Sequence, residues 1–163
     1  MGKKKSKSDG KGLISISSNP PAVSNSDGMM FLVMAVLGAS SPVCTLVIFG
    51  SDIMSNLNYV IIALGISVTL LLMGYYSLAA KYRTSMYNEI KGLNIDNNNQ
   101  DTLPRIHSEA AMKSLYTTNV IFQLLFLLLV CTNVQFASVA RYMLSSIASA
   151  TFTLFAVYLL CAL

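Results

Sequence analysis

Tyr116-Thr-Thr-Asn-Val-Ile-Phe-Gln-Leu-Leu-Phe-Leu-Leu-Leu-Val-Cys-Thr132 holds no charged residue, and its Leu124 to Val130 run is apolar without a break. A backbone in hydrocarbon must pair its amides within the segment, so such a stretch reads as a helix. About 20 apolar residues cross a core of about 30 Å. Three further stretches qualify, Met30 to Phe49, Leu57 to Ala80 and Val139 to Cys161. No Asp, Glu, Lys or Arg lies between Asp27 and Asp52, between Asp52 and Lys81, between Lys113 and Arg141, or after Arg141. Over the whole chain 54% of residues are hydrophobic and 11% are charged. A soluble domain carries about 25% charge, so this composition is not that of a soluble domain. The alternation of a barrel strand is absent. The sequence therefore predicts an all-α membrane protein with four transmembrane helices, the last two joined by a tight turn over Thr132 to Ser138.

The polar regions organise the rest. Residues 1–28 are rich in Lys, Ser, Gly, Asn and Pro and read as a disordered basic cytosolic tail. No apolar stretch follows the charged start closely enough for a secretory signal peptide, so the first span is expected to act as the targeting signal. Residues 29–80 carry helices 1 and 2, 81–115 a cytosolic helical hairpin, and 116–163 helices 3 and 4. The second helix is predicted to continue through Glu89 or Ile90. Asn94 to Gln100 is a low-complexity polar tip that should form a loop. Pro104 suits the first turn of the next helix, with Asp101 or Thr102 as its cap. Ten of the eleven basic residues fall in the tail and the central region; the remaining one is Arg141. Basic residues are retained on the cytosolic side, so tail, central hairpin and C-terminus are all expected there.

Few residues suggest chemistry. No catalytic constellation, cofactor motif or metal-ligand spacing appears, so the chain reads as a non-enzyme. Cys44, Cys131 and Cys161 fall inside apolar segments and read as small buried residues. His107, the only histidine, reads as background in a polar loop near Glu109. Charge at membrane depth, which would mark an ion path, is missing from the spans as drawn. Asn119 and Gln123 are amides able to bond across helices. Gly65 with Thr69, and Ser145 with Ser149, are small pairs at packing distance. Pro42 should kink or end a helical stretch. The tail lysines read as a topological signal, as contact with anionic lipid or rRNA, or as part of a myristoylation pattern on Gly2.

Several strings carry a family resemblance. Glu109-Ala-Ala-Met-Lys-Ser114-Leu-Tyr116-Thr-Thr-Asn119 leads into the third span, and Phe136 precedes Tyr142-Met-Leu144-Ser145 by six residues. Together with Pro42, Tyr75 and Lys81 at their places in the spans, these resemble the gamma subunit of the translocon-associated protein complex of the endoplasmic reticulum. The resemblance covers roughly residues 29–149. Where that family carries Asn-Pro, this chain has Ala137-Ser138. The family's hairpin is longer and more basic; this one has five basic and four acidic residues. The resemblance implies a non-enzymatic, multi-pass endoplasmic reticulum subunit beside the Sec channel, with sister subunits, the lipid bilayer and the ribosome (rRNA or ribosomal protein) as partners. It implies ribosome contact through Lys91 and Arg105 first, then Lys81, Arg83 and Lys113. A small subunit of an insertase or of signal peptidase, and a small carrier or channel, are the competing readings.

Overall fold

The computed structural model describes residues 25–48, 53–92, 102–132 and 139–163. The described residues form four helices, α1 (Asn25–Ile48), α2 (Leu57–Gly92), α3 (Thr102–Thr132) and α4 (Val139–Ala162), with one 3-10 turn, Met54–Asn56, leading into α2. All four are long and apolar enough to cross a membrane. Only 22 to 33% of the residues in their most apolar windows are buried inside the bundle. The remainder is an outward apolar surface, as lipid requires and water forbids. The expected tail at 1–28 and the loop at Asn94 to Gln100 lie largely outside the described residues. At their edges, α1 already begins at Asn25, and α2 runs on to Gly92.

The helices alternate in direction. Asp27 at the start of α1 meets Arg83 near the end of α2, and Lys81 donates to the Leu160 carbonyl near the end of α4. The start of α1, the end of α2 and the end of α4 therefore share one end of the bundle. At the other end lie Ile48, Leu57, Thr132 and Val139. α2 packs most extensively on α4, then on α3, while α1 leans chiefly on α2.

Each interface has its own chemistry. Phe31, Ala35, Ala39, Pro42 and Leu46 form the buried stripe of α1, spaced by three or four residues. That spacing keeps one helical face inward. Phe31 lies against Tyr75 and Tyr76, with ring centroids 5.7 and 5.1 Å apart. On α4 the buried face is small and hydroxylated: Ser145, Ser146, Ser149, Ala150 and Thr153. Small residues let backbones approach closely where no hydrophobic force separates helix from lipid.

Pro42 sits inside α1 without ending it. A proline removes one backbone bond, here the one to the Gly38 carbonyl; the Ser41 hydroxyl donates to that carbonyl instead, at 3.0 Å. Two other expectations are corrected. Gly65 is exposed and a Cβ there would meet nothing within 4 Å, so the Gly65/Thr69 pair is not an interface within the chain. Ser145/Ser149 is one, and both are buried. Cys44 and Cys131 are exposed and Cys161 half-exposed, all free thiols; they are not core residues.

Candidate functional site

The distinctive feature of the bundle is a line of polar contacts that fastens α1 to the other helices. Gln123 on α3 donates from Nε2 to Ser41 Oγ at 2.8 Å. One turn further, Tyr142 on α4 donates from its hydroxyl to Thr45 Oγ1 at 2.6 Å. Asn119, one turn before Gln123, accepts at Oδ1 from the Tyr75 hydroxyl at 2.8 Å. The same oxygen lies 2.7 Å from where a Cβ on Gly38 would stand. A side chain at position 38 would push the Asn119 amide aside and disturb its bond from Tyr75. Ser114 donates to the Tyr75 carbonyl at 2.6 Å, binding α3 to α2. The Thr118 hydroxyl nearby is buried and has no hydrogen-bond partner among the described residues.

The line ends in charge. Arg83 Nη2 lies 3.6 Å from Asp27 Oδ2, and the two side chains are only 4% and 14% exposed. Among the described residues, Nε and Nη2 of Arg83 and Oδ2 of Asp27 have no hydrogen-bond partner. Asp27 also occupies the first turn of α1, where a carboxylate favours the positive end of the helix dipole. The sequence reading missed this pair because Asp27 bounded one charge-free gap and Arg83 followed Lys81 at the edge of another, so the two belonged to the margins of different spans.

The expected contact residues divide accordingly. Arg83 is turned inward to Asp27. Lys81 donates to the last turn of α4, where cations complement the helix dipole. Arg105 is exposed and bonds Glu109 at 3.0 Å, four residues on along α3. Lys113 is exposed. Lys91 lies in the last turns of α2, and its side chain is outside the description. His107 belongs to helix α3, not to a loop, and the partner of Glu109 is Arg105.

Other features carry little chemistry. Tyr76, Tyr116 and Tyr158 are all exposed, Tyr116 at 74%. The Ser114–Tyr75 and Cys161–Ser77 bonds put them at one level. Tyrosine favours membrane–water interfaces. An open hollow of about 310 Å³ between the first turns of α2 and α4 is almost wholly apolar, with Tyr59 and Arg141 at its rim. Among the described residues no group of three or more His, Cys, Asp or Glu is arranged to hold a metal. Comparison with family models, with curated proteins and with solved structures finds no match.

Proposed function

We propose that this chain is a non-enzymatic accessory subunit of the endoplasmic reticulum protein translocon, scaffolding a translocon-associated complex beside the Sec channel. The observation that carries the proposal is the length of α2 and α3. They hold 36 and 31 residues, about 54 and 46 Å at 1.5 Å per residue, against a hydrocarbon core of about 30 Å. With the interface at the level of Tyr76, Tyr116 and Tyr158, both helices continue past it as a packed pair. In this reading that pair is the cytosolic hairpin, which a partner outside the bilayer would meet.

Of the residues behind the family resemblance, Ala110, Ala111, Ser114, Tyr142 and Ser145 are buried and Asn119 bonds across helices, while Glu109, Met112, Lys113, Tyr116 and Leu144 are exposed. The ribosome-facing role then falls on Arg105 and Lys91, with Lys113 nearer the lipid phosphates. Arg83 faces Asp27 inside the bundle and Lys81 bonds the last turn of α4, so both rank below Lys91 and Arg105 as contacts. So few cations give weak binding on their own, because phosphate contacts scale with the charges engaged. Tethering to the channel supplies the effective concentration.

The test is crosslinking from positions 91 and 105 in endoplasmic reticulum membranes carrying translating ribosomes, compared with Lys91→Glu/Arg105→Glu. Crosslinks to ribosomal components that fall in the variant are expected. Crosslinks to membrane proteins alone, with ribosome association unchanged, would point to a small subunit of an insertase or of signal peptidase. A glycosylation acceptor placed near residue 97 should stay unmodified. Its efficient modification would overturn the orientation.

A further inference from the structure

The Asp27–Arg83 pair joins residues far apart in sequence, lies at one end of α1, and is nearly sealed from solvent. Such pairs are balanced by opposing terms. Each ion loses its hydration, and the attraction returns that cost only with good geometry and further hydrogen bonds. Here three of the polar atoms lack a hydrogen-bond partner among the described residues and the ions stand 3.6 Å apart. The pair therefore holds α1 with little net margin. Removing one partner is different in kind, because it strands the other charge in a dry site.

The rest of the α1 attachment has the same character. Beyond the Phe31 to Leu46 stripe, α1 is held by two side-chain contacts: Ser41 and Gln123 exchange a pair of hydrogen bonds, at 2.8 and 3.2 Å, and Thr45 accepts one from Tyr142. α4, in contrast, is locked to α2 by buried small residues, with Ser67 and Ser146 hydroxyls 3.2 Å apart. A docked α1 covers Asn119, Gln123 and Tyr142. A released α1 would open that polar line to another membrane helix.

We infer that Asp27 and Arg83 form an electrostatic latch that sets whether α1 is docked, and that α1 is the detachable helix of the bundle, an internal cover over the polar line on α3 and α4. The latch closes at the end where the α2–α3 pair leaves the bundle, so α1 docking and the projecting helices are mechanically joined through Arg83.

The experiment uses the full chain in native membranes, with Cys44, Cys131 and Cys161 replaced by alanine. Gly28→Cys/Tyr76→Cys reports α1 docking with a short bismaleimide, since a Cβ at position 28 stands 3.0 Å from the Tyr76 hydroxyl. Ser67→Cys/Ser146→Cys reports the α2–α4 contact by disulfide formation. Asp27→Asn and Arg83→Gln should each slow the first crosslink by about fivefold or more and leave the second unchanged, because one ion is then buried alone. The exchange Asp27→Arg/Arg83→Asp should bring the first back to within about twofold, because only the pairwise interaction is restored. Three results would each overturn the latch: wild-type docking in both single variants, loss of both crosslinks together, or an exchange that fails to restore docking while the α2–α4 disulfide forms.

Discussion

α1 and α4 are both 24-residue helices packed on α2, yet they are held by different means. α4 presents eight buried residues, most of them Ser, Thr or Ala, and lies close along its length. α1 presents one stripe headed by Phe31 and is otherwise fastened by a few isolated polar contacts and one ion pair. In lipid the first mode works through contact area and backbone proximity, the second through the lack of any better partner for a polar group. A small-residue interface is continuous and degrades gradually. A line of point contacts can come apart in steps.

Substitutions can break or sharpen this contrast, and stability read by denaturant titration in mixed micelles orders them. Phe31→Ala should cost most, about 2–3 kcal/mol, because it leaves a cavity where the largest buried side chain of α1 meets Tyr75 and Tyr76. A cost below that of Ser149→Ala would reverse the assignment of Phe31 as anchor. Gly38→Val should cost about 1–3 kcal/mol by driving a side chain into Asn119 Oδ1. Pairing it with Asn119→Ala should recover part of the loss, and additive costs would show that the two do not touch. Gln123→Leu should cost about 0.6–1.7 kcal/mol, the range of single hydrogen bonds between membrane helices. Separating Arg105 from Glu109 should cost only about 0.3–0.5 kcal/mol in a double-mutant cycle, since both are exposed. A larger coupling would mean that the pair is shielded by something bound over it.

Much of the architecture was legible because the bilayer imposes it. The four spans, the run of α2 past Glu89 and the start of α3 beside Pro104 follow from hydropathy, charge gaps and cap chemistry. The cross-helix role of Asn119 and Gln123 was also readable, because an amide at membrane depth has few alternatives. What stayed hidden depends on rotation about the helix axis. Gly65/Thr69 and Ser145/Ser149 have the same spacing, and only the packing decides that one faces out and the other in. The cysteines misled for a related reason: in lipid an apolar residue gains nothing by being buried. Arg83 misled most. A cation two residues beyond Lys81 reads as part of a basic boundary, and its inward turn becomes visible only once Asp27, 56 positions earlier in the sequence, is seen beside it.

The hydroxyls of Ser40, Thr69, Ser77, Thr84 and Thr151 donate to carbonyls three or four residues back in their own helices. A hydroxyl satisfied in this way asks nothing of a neighbour. Such positions can drift among Ser, Thr and Ala over evolutionary time without disturbing the bundle, and outward Leu, Ile and Val can interchange as freely. Drift is barred at Gly38, Asn119, Asp27 and Arg83, where a change must be answered elsewhere. Distant relatives of this chain should therefore share a scatter of isolated residues across an otherwise interchangeable apolar background, with paired changes at positions 27 and 83 as their clearest signature.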